Sequence, residues 1–440
     1  VAEALPRKLT LADSVAIVIG IVIGGGIFLV PNLVAQNLGS PAVILAVWTF
    51  AGIVSFFGAL ACAELGAAFP ATGGQYIFLR EAYGPMAGFV CGWSSFTVSR
   101  SAQVAWMAVV FSLYLGYFVP LAGLAAKAVS IAAIVVFSAI NYRGVHGGAN
   151  VQKSFTAAKV AGLILIVASA FLLGRPHAPA PSAAPAFSAS HFGVALIACL
   201  LCYDGWVQLS FVAGEIRDPQ RNVLRALAIG SAAVMLIYLL ANTAYLRVLS
   251  LPEIGASEHV GATAAERVLG AMGGKLVSAI ILTSIMGTLN GCFLTTPRVY
   301  FAQAADGLFF RRFAEVHPRF ETPSFAIVAQ AVWSAVLVVT GSYETLVDYA
   351  LFSMWLFYGL MVAGVMVLRR TQPETPRPYR MWGYPVTPLL FLVITAGFLA
   401  NMLVTRPGPS LASLGLMATG VPVYFLWRKP RGRRAGSIPS

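Results

Sequence analysis

The sequence predicts an all-α polytopic membrane protein of twelve transmembrane helices, the first and sixth of them broken at half-depth. Three observations predict this. The 440 residues have a mean hydropathy of +0.81 and only 10% charged side chains, against about 25% in soluble domains. Apolar windows long enough to cross a bilayer core of about 30 Å, which takes about 20 helical residues, recur along the whole chain. Two of these windows carry residues that a membrane helix does not accommodate without a break, a glycine triplet at 24–26 and an Asp-Gly pair at 204–205. The composition excludes a soluble enzyme, a secreted disulfide scaffold and a disordered chain. The apolar runs are continuous, which excludes an alternating β-barrel pattern.

Twelve windows, bounded by Pro, Gly and charge clusters, are numbered segments 1 to 12: 12–36, 42–68, 85–116, 124–141, 152–173, 191–213, 223–248, 273–301, 324–341, 345–368, 385–404 and 411–427. The first apolar run, from about Leu11 to Leu38, is too long for a signal h-region and has no cleavage pattern, so it is expected to stay as a spanning segment. Segments 4 and 9 are the shortest. The Ala/Pro-rich stretch from Pro176 to Pro185 reads as an outer loop, and Pro252 to Leu269 as a short helix over an outer vestibule. The basic tail from Arg428 to Arg434 is expected to face the membrane.

Charge sets direction. With the N-terminus placed in the cytoplasm, 21 of the 29 basic residues fall on inner loops and segment ends, and 6 fall outside. Arg100 and Lys159 lie within segments. The split supports both termini inside and a cell (inner) membrane location. It also accounts for the net charge of +13, which faces anionic lipid and does not imply a nucleic-acid partner. Five cysteines, an odd number, all fall in apolar stretches and behave as small hydrophobes, so neither a disulfide framework nor a metal site is expected.

The two breaks carry the chemistry. Ile23-Gly24-Gly25-Gly26-Ile27 lies near the middle of segment 1. Each glycine costs a helix interior about 1 kcal/mol. Free backbone groups are tolerated at membrane depth only where they line a cavity or meet a ligand. The alternative is close helix packing through Gly20 and Gly24. In segment 6, Cys202-Tyr203-Asp204-Gly205-Trp206 places a carboxylate at membrane depth, which reads as functional by default. The breaks lie five segments apart. Five is odd, so two five-helix repeats enter the membrane from opposite sides, as 1–174 and 190–370, with 371–440 appended as segments 11 and 12 and the tail. Half-helix N-termini offer N–H groups to an anion, and C-termini offer carbonyls to a cation. A zwitterion matches both, so the layout favours an α-amino acid.

The motifs resemble those of the amino acid–polyamine–organocation superfamily, in its L-amino acid transporter branch. The match rests on Gly24-Gly25-Gly26-Ile27-Phe28, on Ala63-Glu64-Leu65-Gly66 running to Thr72-Gly73-Gly74-Gln75-Tyr76, on Tyr203-Asp204-Gly205-Trp206 leading to Gly214-Glu215, and on Asp306-Gly307 with Val316-His317-Pro318. The resemblance covers segments 1 to 9. It implies a LeuT-like fold and amino acid transport by alternating access. It places the substrate carboxylate on the amides of Gly25 and Gly26, with Gly24 and Ile27 beside them. The amine would meet carbonyls near Val22 and around Leu201 and Asp204, next to Tyr203 and Gly205. Gly25 replaces the family's usual serine, and Leu201 stands where many relatives have an aromatic gate.

By the same resemblance Lys159 stands where sodium-coupled relatives hold a sodium ion, near the segment 1 break and Thr288, which implies sodium-independent transport. The alternative is snorkelling, since Lys159 lies about seven residues into segment 5, or about 10 Å. Tyr238 matches a tyrosine near the substrate carboxylate, and equally reads as a packing aromatic bonded to backbone. Glu64 reads as a cap or the partner of a cation. Arg100, about mid-segment 3, requires an acidic partner or a cavity. Glu215, Arg217, Asp218 and Arg221 form a candidate inner ion network, with solvated loop charge as the alternative. Phe352, Trp355 and Phe357 are either vestibule or core. No phosphate loop, metal cluster or nucleophile elbow is present, so no cofactor and no enzyme activity are expected. Eukaryotic relatives of this branch bind a heavy chain through a cysteine between segments 3 and 4. Gly116 to Gly123 has none, so no disulfide-linked subunit is expected and a stand-alone prokaryotic carrier is the better reading. The expected function is sodium-independent transport of neutral L-amino acids, by exchange. Proton-coupled uptake and transport of cationic amino acids or polyamines remain as alternatives.

Overall fold

The computed structural model describes residues 5–176 and 188–427. The loop expected from Pro176 to Pro185 lies almost wholly outside the described residues, and the tail from Arg428 to Arg434 lies entirely outside them. The architecture is all-helical, with a single bridge between Leu9 and Ile216 as the only extended pairing among the described residues.

Among the described residues, ten helices are long and apolar enough to cross a membrane. Segment 1 is a bent pair, Leu11–Val22 and Gly26–Asn37, which meet at 43° and are together long and apolar enough for an eleventh. Segment 9 is a shorter apolar helix, Ser324–Thr340, of 17 residues. The predicted windows coincide with helices to within a few residues, with one exception. Segment 5 is Val145–Leu172, so it starts seven residues before the expected position 152. The stretch Gly147-Gly148-Ala149-Asn150 is too polar and glycine-rich to register as apolar. It is helical because Gly148 packs directly against Asn141, where even a Cβ would come within 2.2 Å of the amide oxygen.

Local sequence explains the helix starts. Thr10 caps segment 1 in a reciprocal box with Asp13. Prolines occupy the first turn at Pro41, Pro85, Pro219 and Pro407, where a missing N–H costs nothing. Segment 6 runs as an α-helix, Ala189–Cys202, then continues as a tight 3₁₀ stretch, Trp206–Glu215. Gly205 joins the two with φ +124°, where its missing Cβ would stand 2.8 Å from Ile21 Cγ2 and 3.3 Å from the Val22 nitrogen. Only glycine satisfies both the torsion and the approach. The two breaks are therefore pressed together at one depth.

Polar pairs tie the face that carries both ends of the described chain. Lys8 pairs with Glu321, and Lys153 with Asp13 at 2.8 Å. Tyr76 donates to Asp306 at 2.6 Å, and Arg80 also pairs with Asp306. Glu64 accepts both Nε and Nη2 of Arg369, at 2.8 and 2.6 Å, and the backbone N–H of Met381 at 2.6 Å. Trp427 stacks on Phe309 of the same face. On the opposite face the expected outer helix is two short ones, Leu251–Ala256 and Val260–Leu269. The second of them borders a vestibule of about 590 Å³ through Ala262, Thr263 and Glu266. Phe352, Trp355 and Phe357 are core: all are buried, and Trp355 stacks on Phe391 and Phe398 of segment 11.

Candidate functional site

A cavity of about 210 Å³ lies between the two breaks. Its walls come from Val22, Gly24, Gly25 and Gly26 of segment 1, Gln103, Trp106 and Met107 of segment 3, Leu201, Cys202 and Asp204 of segment 6, Thr288 of segment 8, and Val347 and Leu351 of segment 10. It is smaller than the sites of drug-sized ligands, about 300–1,000 Å³. Leu29 and Val110 line both this cavity and the vestibule, so the site opens toward the face opposite the chain ends.

The break in segment 1 exposes both kinds of backbone group. The first half-helix ends at Val22, with Ile23 as its C-cap. The second begins at Gly26, and its first inward bond is Phe28 N–H to the Gly25 carbonyl at 3.1 Å. The amides of Gly25, Gly26 and Ile27 therefore have no acceptor among the described residues. The Ile21 carbonyl, at the end of the first half-helix, likewise has no donor among them. Amide donors and a carbonyl acceptor thus stand within one turn of each other beside the cavity.

The structure separates the expected site residues into two groups. Val22, Gly24, Gly25, Gly26, Leu201, Asp204 and Thr288 line the cavity. Ile27, Tyr203, Gly205 and Tyr238 stand behind its wall, all buried. Tyr238 bonds to backbone: its hydroxyl is shared between the carbonyls of Val22, at 3.1 Å, and Cys202, at 3.0 Å. It thus stitches the carbonyl ends of the two first half-helices and does not face the glycine amides. Tyr203 packs edge-on to Trp48, with ring centres 6.0 Å apart, and against Tyr238 at 5.0 Å.

Lys159 is fully buried and points at the break. It lies fourteen residues into its helix, twice the expected depth and about 21 Å from the helix start. Its Nζ donates to the carbonyls of Gly20 at 2.8 Å, Ile23 at 2.7 Å and Ser284 at 2.8 Å. Three acceptors satisfy the three donors of an ammonium, and the snorkelling alternative does not hold. The Ser284 hydroxyl donates to the Ile23 and Gly24 carbonyls at 2.8 and 3.1 Å, so segments 5 and 8 together terminate the first half-helix.

Two charged groups find partners that local sequence did not indicate. Glu215 pairs with Arg298 of segment 8, at 2.8 and 3.1 Å, with both side chains fully buried. The expected local network is corrected accordingly: Arg217, Asp218 and Arg221 enter no ion pair among the described residues. Arg100 donates to Gln103 Oε1 and to the Tyr358 hydroxyl, each at 3.1 Å. Gln103, Trp106 and Met107 were missed as lining residues, although the buried cation one turn earlier in segment 3 marked that helix as facing something polar. All five cysteines are free and buried. No cluster of His, Cys, Asp or Glu able to hold a metal ion occurs among the described residues.

The sequence pattern of the family described as amino acid permease matches residues 9–426. The chain is 32% identical over 429 residues to the serine/threonine exchanger SteT of Bacillus subtilis (strain 168), covering 97% of this chain and 98% of that protein. It is 33% identical over 436 residues to the large neutral amino acids transporter small subunit 2 of Homo sapiens, covering 96% of this chain and 81% of that one. It is 30% identical over 440 residues to the human cystine/glutamate transporter, covering 97% and 87%. A broken-helix cavity with a backbone cradle, in a chain matched over residues 9–426, identifies a multi-pass amino acid transporter, not an enzyme: the protein belongs to the amino acid permease family, in the L-amino acid transporter branch of the amino acid–polyamine–organocation superfamily.

Proposed function

We propose that the protein is a sodium-independent exchanger of neutral L-amino acids that works by alternating access in the cell membrane, with both chain ends in the cytoplasm. The observation that carries the sodium independence is Lys159. Its ammonium already occupies the junction of segments 1, 5 and 8, bonded to three carbonyls within 2.8 Å. That side chain takes up carbonyl acceptors that a sodium ion at this junction would need.

The site assignment follows from the cradle. The substrate carboxylate sits on the free amides of Gly25 and Gly26, and the ammonium meets the Ile21 carbonyl and the Val22 end of the half-helix. The side chain extends toward Leu201, Trp106, Met107 and Val347, an apolar wall suited to an uncharged group. The relatives named for serine and threonine and for large neutral amino acids support that class. The five-helix halves 1–174 and 190–370 are the moving units in this reading. Their first helices are the two that break, which supports the inverted pairing. The vestibule side is open and the ion-paired face is closed, as in one end state of such a cycle. The basic residues on inner loops support the cytoplasmic placement of that closed face.

Proteoliposomes preloaded with a labelled neutral amino acid test this reading. Each of the twenty unlabelled amino acids is added outside, in sodium and in choline. Neutral L-amino acids should release label at the same rate in both salts, with little net uptake into empty vesicles under an imposed pH gradient. Release that requires sodium, or net uptake driven by the pH gradient, would replace this proposal with a coupled symporter.

A further inference from the structure

A carboxylate forms part of the cavity wall, and a guanidinium lies one residue behind it. Asp204 is the only acidic side chain lining the cavity among the described residues. Its Oδ1 accepts the hydroxyl proton of Tyr358 at 2.7 Å. The same phenol oxygen accepts from Arg100 Nη2 at 3.1 Å. The donors thus run one way, from guanidinium to phenol to carboxylate. Arg100 Nη1 donates to Gln103 Oε1, which also accepts from Gln208 Nε2 at 3.2 Å. The guanidinium lies 5.3 Å from the ring centre of Phe211 and 5.8 Å from that of Tyr358. Arg100 and Tyr358 are each 1% exposed, and neither lines the cavity. A five-residue π-helical turn, Ser95–Ser99, immediately precedes Arg100, whose N–H reaches back to the Ser95 carbonyl. Such widened turns re-aim the residues that follow them.

We propose that Arg100 sets the charge selectivity of the transporter: acting through Tyr358, it cancels the charge of Asp204, so that the cavity presents no net charge to the substrate side chain. The inference rests on the amino acid reading of the cavity and names which side chains that cavity admits. An isolated carboxylate in this wall would attract an ammonium or guanidinium side chain. With Arg100 fixed behind it, an incoming cation meets a like charge across one phenol ring in a medium of low dielectric, where charges are poorly screened. The arrangement is symmetric. Arg100 without Asp204 would favour an anionic side chain, and loss of both would restore a neutral site. Arg100 is a positioning residue, since it does not touch the substrate.

Competition for neutral amino acid exchange in proteoliposomes tests this. In the wild type, L-arginine and L-glutamate should each compete at least about tenfold more weakly than the best neutral amino acid. Arg100→Gln should strengthen competition by arginine and lysine about tenfold or more, and Asp204→Asn should do the same for glutamate. The double variant should lose both gains. Tyr358→Phe, which keeps both charges and removes the bridge, should shift arginine competition by less than Arg100→Gln. A general loss of structure weakens all substrates together and does not reverse sign between the two single variants. Wild-type protein that takes arginine as readily as neutral substrates overturns the inference without any variant. Arg100→Gln or Asp204→Asn that still exchanges neutral amino acids but gains no charged competitor overturns it as well. Wild-type protein that exchanges no amino acid at all refutes the transport reading itself.

Discussion

The ammonium of Lys159 lies 2.7 Å from the carbonyl oxygen of Ile23, the residue that caps the first half-helix of segment 1. A residue of segment 5 thereby ends a helix of segment 1. Lys159→Ala removes one donor from each of the carbonyls of Gly20, Ile23 and Ser284, leaving Gly20 and Ser284 the Thr288 hydroxyl at 3.4 and 3.2 Å. Ile23 keeps the Ser284 hydroxyl. The expected outcome is a drop in exchange of about tenfold or more with near-normal protein in the membrane, read by labelled exchange against quantitative immunoblotting. Wild-type turnover in the alanine variant would detach Lys159 from the transport cycle.

The glycine triplet is not uniform. A Cβ at Gly25 would meet nothing closer than Ile281 Cγ2 at 4.0 Å, whereas one at Gly26 would stand 2.7 Å from Cys202 Sγ. Gly25→Ala should keep most of the exchange activity. Gly26→Ala should lose most of it, and Gly26→Val all of it, by prising the two breaks apart. The next Cys202 atom from that Cβ, the cysteine Cβ, is 3.6 Å away, an ordinary contact. Cys202→Ala should therefore rescue Gly26→Ala, a coupling that a double-mutant cycle of exchange rates measures directly. Additive losses would mean that Gly26 is needed for its backbone alone.

Hydropathy made the segments legible, because a bilayer forces long apolar runs whatever they pack against. It missed the start of segment 5, where Gly147, Gly148 and Asn150 look like loop but pack as helix. The breaks were legible because three glycines and a buried aspartate have few other reasons to sit at half-depth. The partners of buried charges were not. Arg100 meets Tyr358 across 258 positions of sequence, and Glu215 meets Arg298 across 83. The nearer Arg217 and Arg221 suggested a local network that folding does not make. Ion partners within a membrane are set by tertiary contact, and one sequence carries no record of it.

Glu215 and Arg298 form a fork-to-fork pair with no exposure on either side. The pair joins the end of segment 6 to segment 8 on the closed face. Breaking such a pair from one side costs about 3–5 kcal/mol, because the remaining charge is stranded, whereas replacing both by apolar groups costs much less. Glu215→Gln should lower the thermal midpoint in detergent well below that of the double variant Glu215→Leu with Arg298→Leu. Equal midpoints for the single and double variants would show that the charge of Arg298 finds another partner.

Glu253 offers a test by pH outside the membrane. Its Oε2 accepts from the backbone N–H and the hydroxyl of Ser250, each at 2.8 Å, and Arg267 of the next outer helix pairs with Oε1. The backbone N–H of Ser250, then Arg267 and the Ser250 hydroxyl, hold its carboxyl at about 2, below the ordinary 4.5. A carboxyl whose value is lowered by folding stabilises the fold above the unfolded value, and that contribution disappears as pH falls through the folded one. The outer helices Leu251–Ala256 and Val260–Leu269 should therefore hold their protection from pH 7 down to about 4.5 and lose it progressively toward about 2. Hydrogen exchange over 251–269, corrected for its intrinsic pH dependence, reads this directly. Glu253→Gln should already show the raised exchange at pH 7, since its amide cannot carry the charge that Arg267 pairs with. Protection in that variant equal to wild type at pH 7 would show that packing alone, and not the cap, holds these two helices in place.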